Sequence, residues 1–530
     1  MPKINEKRGS GTKEEGSITV FLCFLFLMFF SLIGATYENV RVLSGNGYMK
    51  VAANAAAMTV FGSYNKELYE QYGLFGYGGY DGITAADLEE EFAAIVAENI
   101  KVWPEKQKER YYDLYQIREV ACEAEEVTYL TEEAAFYEQI KGYLKGEGIK
   151  KLKKELTSHT AKDDSEQTQS GSLALAKQYE EGEFDEIKKE QNVKKNSMAS
   201  QTSLEGTNGK KPENTIDGNP LKSFTSMMKN GVLNLVCDSN RISKVVIENG
   251  ESKNTESKSK NASDYMRDII GDSGEMTKPA VGSSMTDKLW YIAYVDKQFS
   301  SYTKNRKRTA AYGLEYLVKG AAQERDNLSS TVGKLLGTRT LLNFAYVVSD
   351  PVLQEKSLAT ATALAGFTGM PPVIQAVQYL ILLILAFEEA CVDVTALLAG
   401  DAVPLVKTKS TMKMCYEEIC LASKALFASK AKAYHTDKAC TDGITYQQYL
   451  KCFLLMVDQR TLHTRTCNLI QFDLRHRYNQ SFCIDTAICG CRYEMSYQIP
   501  FVFQNLPFVK QNMKQKNMRS LEVEYAYKSK

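Results

Sequence analysis

An α+β fold, mainly helical and carried on a single N-terminal transmembrane helix, is predicted by three features of the 530-residue chain. An uncharged apolar run occupies Ile18 to Ala35. From about Lys288 onward, segments with apolar residues at helical spacing follow one another. Two stretches of alternating apolar and polar residues lie near the end, which is the pattern of strands. Together they predict a membrane helix that continues into a stalk, then a helical ectodomain with a small antiparallel sheet.

Residues 1–16 read as a cytoplasmic leader and 17–36 as the transmembrane helix. The membrane-spanning apolar residues are Ile18, Val20, Phe21, Leu22, Phe24, Leu25, Phe26, Leu27, Phe29, Phe30, Leu32 and Ile33. Each of these favours the bilayer centre by roughly 0.3–0.6 kcal/mol, so the run gains on the order of 5 kcal/mol with no charge opposing it. Lys3, Lys7, Arg8 and Lys13 precede the run, against Arg41 and Lys50 after it, so cation retention keeps the N-terminus in the cytoplasm. A cleaved signal peptide would have a shorter apolar region and an A-x-A-like site, which Gly34, Ala35 and Thr36 fit poorly.

Residues 37–80 are predicted to form a stalk helix and a Gly/Tyr-rich turn. Val40, Leu43, Val51, Ala55, Met58 and Leu68 recur at near-helical spacing, and Gly45 and Gly47 mark points where the helix would kink. That stripe would pack on the ectodomain or, equally, on other subunits. The glycines from Gly73 to Gly79 alternate with Tyr and Phe, which suits a turn better than a phosphate cradle. A small α+β element follows over 81–145, with a strand from Arg118 to Leu130 and a helix, capped by Thr131, running through Lys145.

Residues 146–284 read as a largely disordered polar insertion, because few large apolar side chains are present to offset the entropy of ordering. Short islands such as Val232 to Val236 are the exception. The helical ectodomain covers 285–480, with helices predicted over Gly313–Lys319, Asp326–Leu342 and Ser357–Leu364. Pro371-Pro372 begin the next one and Gly400 ends it. Its core, Val373 to Phe387, is the rival for a second membrane span, but it holds Gln375 and Gln378, ends at Glu388-Glu389 and is too short to cross, so a central core helix is expected. Thr445 and Gln448 form a T-x-x-Q capping box before another helix. Over 481–530, Tyr493 to Ile499 and Leu521 to Tyr527 alternate as strands that pair with each other or with the strand near Val120.

No catalytic, cofactor-binding or metal-ligating set emerges, and the chain is expected not to be an enzyme. Lysine plus arginine (65) balance aspartate plus glutamate (65), which removes nucleic acid as the main partner. The four histidines lack the spacing of HExxH, and G-x-S-x-G, P-loop and Rossmann patterns are missing. His463 and His476 with Cys467 are more often surface or core residues than a metal site. The acid pairs Glu125-Glu126 and Glu388-Glu389 read as solvated faces or helix ends rather than catalysts. Among twelve cysteines there is no CxxC; Cys483, Cys489 and Cys491 are the candidates for disulfide chemistry in an oxidising compartment.

The leader ending in Gly16, the segment SITVFLCFLFLMFFSLIGA and the long helix after it resemble the N-terminal region of TadE/TadG-like pseudopilins, over residues 1 to about 75. The resemblance implies leader cleavage between Gly16 and Ser17 by a prepilin peptidase, and packing of the mature helix with its neighbours in the membrane. Where pilin-like helices carry a Glu five residues into the mature segment, Phe21 stands here, which implies a retained accessory subunit rather than a major pilin. The chain is more closely similar to an uncharacterised family of bacterial, mainly Gram-positive, membrane proteins related to these pseudopilins. That likeness rests on GSITVF at Gly16, YNKELYEQYGLF at Tyr64, YGLEYLVKG at Tyr312, the segment from Gly369 to Gly400, and VPLVK at Val403.

The expected function is that of a membrane-anchored, pseudopilin-like accessory or structural protein of Tad-type pilus or secretion assembly. Its partners would be the lipid bilayer and other pseudopilin-like or Tad secretion-system proteins, with no cofactor and no nucleic acid. It would sit in the cell membrane as a single-pass protein with an extracytoplasmic ectodomain. The alternative is an extracytoplasmic ligand-binding or sensory module on the same tether, whose small-molecule ligand the sequence leaves unknown.

Overall fold

The computed structural model describes residues 15–80, 82–100, 113–145, 218–229, 231–238, 242–247, 285–436, 443–502 and 517–527. Most of the leader and most of the polar insertion expected over 146–284 lie outside the described residues. The chain divides into two compact units, one of Met1–Gln139 with Ser481–Lys530 and one of Ile140–Gln480.

In the first unit, α1 spans Glu15–Gly62, about 72 Å of continuous helix at 1.5 Å per residue. It continues as one helix through Gly45 and Gly47, the positions at which the sequence suggests a kink. A Cβ at Gly45 would lie 2.8 Å from Ile499 Cδ1 and 3.4 Å from Tyr115 Cδ1, so this glycine serves a close approach rather than a kink. Beyond the apolar run, α1 buries Val42, Met49, Ala53, Ala56, Val60 and Phe61. The stripe picked out by spacing faces the other way: Val40, Leu43, Val51 and Met58 are 58–73% exposed. Leu68 alone of that set is buried, and it belongs to α2 (Lys66–Tyr72). Asn65 caps α2 by accepting from Leu68 N–H at 3.0 Å, and Gly73 ends it at φ +68°.

The expected Gly/Tyr-rich turn contains a strand, β1 (Tyr77–Tyr80). Helix α3 (Ala85–Asn99) begins at the Thr84/Asp87 capping box, and β2 covers Arg118–Tyr129. Helix α4 (Glu133–Leu144) contains the division between the two units. The long strand β3 (Phe482–Gln498) is central: β2 pairs antiparallel along one edge, while β1 and β4 (Met518–Ala526) share the other. Alternation puts Cys491, Tyr493, Met495 and Tyr497 on the face covered by α1 and α3. There Phe92 stacks on Tyr493 with ring centroids 3.7 Å apart. The opposite face brings Glu123, Glu494 and Glu522 abreast on three strands.

The second unit is helical. Within the insertion, α5 (Pro220–Met228) is capped by Asn219, and α6 covers Val232–Val236, one of the short islands expected from the sequence. Then come α7 (Met285–Gln298), α8 (Gly313–Lys319), α9 (Glu324–Ser349), α10 (Pro351–Ala365), α11 (Pro371–Ala399), α12 (Lys424–Thr436), α13 (Tyr446–Met456) and α14 (Gln459–Arg477). Helix α11 packs against α9, α10, α12, α5 and α6, and Gly400 ends it at φ +99°. It is the core helix the sequence predicts, with Ile381, Leu382, Leu385 and Val392 fully buried. The Thr445/Gln448 capping box starts α13 as its spacing predicts.

Candidate functional site

The candidate site is α1 and its junction with the sheet. Among the described residues, α1 is the one helix long and apolar enough to cross a membrane. Its apolar window is 6% buried within the molecule, and the twelve side chains assigned to lipid are 37–68% exposed. Such a surface is unfavourable in water and favourable in hydrocarbon. Gly16 and Ser17 fall in the first turn of this helix.

Immediately beyond the run, Glu38 and Arg41 form a buried pair. Arg41 Nη2 lies 2.6 Å from Glu38 Oε1, with the two residues 2% and 5% exposed. Arg41 also donates through Nη1 to the carbonyls of Leu114 (3.2 Å) and Tyr115 (3.0 Å), and through Nη2 to that of Pro500. Glu38 accepts the N–H of Val502 at 3.1 and 3.2 Å. One ion pair thus ties α1, the approach to β2 and the end of β3 together, about 5–9 Å past Ala35 at the helical rise. In the sequence Arg41 is readable only as a cation beyond the membrane run. Its partners lie far away in the chain, and spacing carries no signal for them.

The remaining face of α1 exposes Val40, Leu43, Val51 and Met58, with Gly47 and Ala55 between, the uncharged polar residues Asn39, Ser44, Asn54 and Thr59, and Lys50 as its one exposed charge. A Cβ at Gly47 or Gly62 meets nothing within 4 Å. A mid-helix glycine costs about 1 kcal/mol relative to alanine, and no contact within the molecule compensates for Gly47.

The second unit holds a different kind of cluster. Asp393 accepts at Oδ2 from Arg339 Nη2 (2.7 Å), Arg339 Nε (3.0 Å) and Asn343 (2.9 Å), and at Oδ1 from Lys407 (2.7 Å) and Tyr434 (2.7 Å). Lys407 Nζ also lies 2.5 Å from Glu389. All four charged residues are 0–2% exposed. Burial raises the Asp393 carboxyl, but Arg339 and Lys407 outweigh it and hold the group below its ordinary value. Two cations face two carboxylates, an arrangement that is neutral and satisfied, and that fixes α9, α11 and α12 against each other.

The pair Glu388-Glu389 is therefore not the solvated face expected: both residues are buried in α11, because successive helical residues face different sides of a helix packed all round. Among the described residues Glu388 has no hydrogen-bond partner on either oxygen, and burial pushes its carboxyl up to about 9. Glu125 and Glu126 lie beside Arg492, at 3.8 and 3.0 Å. Cys483, Cys489 and Cys491, taken as disulfide candidates, are free thiols here on a single strand. Cys489 meets Gln139 Nε2 at 3.3 Å, and Cys491 lies on the core face. His463 lies 3.8 Å from Cys467 and touches Tyr291, while His476 packs on Phe472. The described residues hold no group of three or more His, Cys, Asp or Glu placed to ligate a metal.

Residues 209–499 match a family described as "Family of unknown function (DUF5702)". The match runs from just before α5 to the end of β3, so it includes the helical unit and the central strand and leaves α1 outside. No curated protein and no solved structure matches.

Proposed function

The chain belongs to that family of unknown function, and on this premise we propose that it is a membrane-anchored, non-enzymatic accessory subunit of the cell envelope. In this reading α1 crosses the bilayer with its N-terminus cytoplasmic, and both units lie outside. Its partners are pseudopilin-like helices of Tad-type pilus or secretion assembly.

The observation that carries the reading is the two-sidedness of α1 beyond the membrane. One side is covered by the sheet, whereas the other exposes Val40, Leu43, Val51 and Met58 among the uncharged polar residues Asn39, Ser44, Asn54 and Thr59, with Lys50 as its one exposed charge. Exposed apolar side chains that recur along a helix next to a membrane span suit packing alongside other membrane-anchored helices. The buried Glu38–Arg41 pair also leaves Lys50 as the exposed cation after the span, which supports the orientation. Photo-crosslinking in cells from a reactive residue at Val51 or Met58 tests this. Adducts to pseudopilin-like or Tad secretion proteins are expected; a chain that yields none from either position, yet binds a small molecule saturably, belongs to the ligand-binding alternative instead.

A further inference from the structure

From Ser357 to Phe387 no residue is charged. This stretch is the second half of α10, a 3-10 turn at Gly366–Thr368, and the first half of α11. At the tip of this hairpin Phe367 is 89% exposed and Met370 55%. Leu358 on α10, with Leu380 and Leu383 on α11, extends the apolar surface along the two shafts at 39–47% exposure.

The polar groups of the tip decide what could cover it. Helix α11 opens with Pro371 and Pro372, which carry no N–H, so two of the four donors that a helix start leaves unpaired do not exist. The next two N–H groups, of Val373 and Ile374, donate to the Met370 carbonyl at 3.0 and 3.3 Å. Gly369 N–H donates to the Gly366 carbonyl at 3.0 Å, and Met370 N–H to Thr368 Oγ1 at 3.3 Å. The hydroxyls of Thr362 and Thr368 donate to the carbonyls of Leu358 (2.8 Å) and Ala365 (2.7 Å). Gln378 turns inward onto Gln354 at 2.9 Å, which leaves Gln375 as the exposed amide one turn into α11. Protein partners read donors and acceptors as well as shape. Hydrocarbon favours a surface whose donors are satisfied from within, as these N–H and hydroxyl groups are.

We propose that the tip of the α10–α11 hairpin, Phe367 to Pro372, enters the interfacial hydrocarbon of a lipid bilayer as a second, monotopic membrane contact. Burial by 5–10 Å is typical of such contacts. That depth takes in the turn and the first turn of α11 and leaves Gln375 near the headgroups. Helix α11 does not cross, because Glu388, Glu389 and Asp393 are locked in the core of the unit. The contact draws on α1 only as the anchor that holds the chain at a bilayer, and is independent of what the outer face of α1 binds.

Full-length Phe367→Trp, reconstituted in phosphatidylcholine vesicles with plain or brominated acyl chains, tests it, with Met370→Trp as a second reporter. The signal of wild type, which carries Trp103 and Trp290, is subtracted. Blue-shifted emission that falls at least twofold in the brominated lipid is the expected result. Equal emission in the two lipids overturns the proposal, whether that emission is red and quenched by iodide, as for a tip in water, or blue and protected, as for a tip covered by a second copy. Failure of the α1 anchor would show separately, as loss of co-flotation with the vesicles.

Discussion

Two adjacent glutamates on α11 illustrate how completely surroundings decide the state of a side chain. Glu389 faces Lys407 and accepts the N–H groups of Lys413 and Met414 at 2.7–3.1 Å, whereas Glu388 is buried without a hydrogen-bond partner among the described residues. Burial raises the Glu388 carboxyl from 4.5 to about 9. An acid whose folded value is raised binds its proton more tightly in the native state, so stability falls as pH rises from near 4.5 and the loss is complete near 9. Glu388→Gln is therefore expected to be more stable than wild type at pH 8, by several degrees in Tm, with the gap shrinking at pH 5. Thermal denaturation at the two values checks it, and a gap that does not depend on pH would mean that Glu388 is ionised in the fold. Removing a partner from the neighbouring cluster acts in the opposite direction. Lys407→Met strands Glu389 without its cation, leaves Asp393 to Arg339, and should cost about 3–5 kcal/mol. Part of this should return when Glu389→Gln is added, as read by denaturant unfolding. None of this was legible in the sequence. Arg339 and Lys407 reach α11 from α9 and from the loop after Gly400, and a local pattern shows only a polar pair at the end of an apolar run.

For α1 the helix itself was legible and its phase was not. Apolar residues recur at helical spacing on two faces, and Val40, Leu43, Val51 and Met58, the larger side chains, suggest a core they do not form. The face that packs on the sheet uses Ala52, Ala53, Ala56 and Ala57 beside Met49 and Val60, because close approach of a helix to a sheet favours small side chains. Two contrasts follow. Ala53→Asp places an unpaired charge where exposure is 0% and should disrupt the first unit, while Val51→Asp, at 68% exposure, should leave near-UV circular dichroism unchanged and abolish the crosslinks from this face. Likewise Gly47→Ala should raise stability by about 1 kcal/mol where Gly45→Ala does not, since a Cβ at Gly45 meets Ile499. Equal effects at the two glycines would remove the distinction drawn here between inner and outer faces. The strands were easier to read, because alternation in β3 and β4 has one apolar face only. β1 was missed because glycines at Gly78 and Gly79 weaken any local strand signal and pairing with β3 alone imposes it.

At the scale of the molecule, the first unit is assembled from the two ends of the chain, and the helical unit is inserted between them. Pairing of the terminal strands with each other, or with the strand near Val120, could be anticipated from their alternation, and β3 does both while β4 pairs with β3. Within 146–284 the island at Val232–Val236 is α6, whereas the polar composition around it hides α5, whose partner is α11. The discontinuity makes β3 the keystone: it pairs with β1, β2 and β4, and its Tyr493, Met495 and Tyr497 complete the core under α1 and α3. A chain ending at Gln480 retains α1 but loses three ladders and exposes Met49, Val60, Phe61 and Phe92, as well as the carbonyl and N–H partners that Pro500 and Val502 give to Arg41 and Glu38. Unpaired strands and a stranded ion pair leave the remainder of the first unit without a stable core. In wall-stripped cells, added protease should cut this truncated chain close to the membrane within the stalk, around Lys50 or Lys66. In the full-length protein those sites should be protected until the sheet unfolds, and cleavage should begin elsewhere. Equal protection of the stalk in both chains would mean that α1 does not need the sheet.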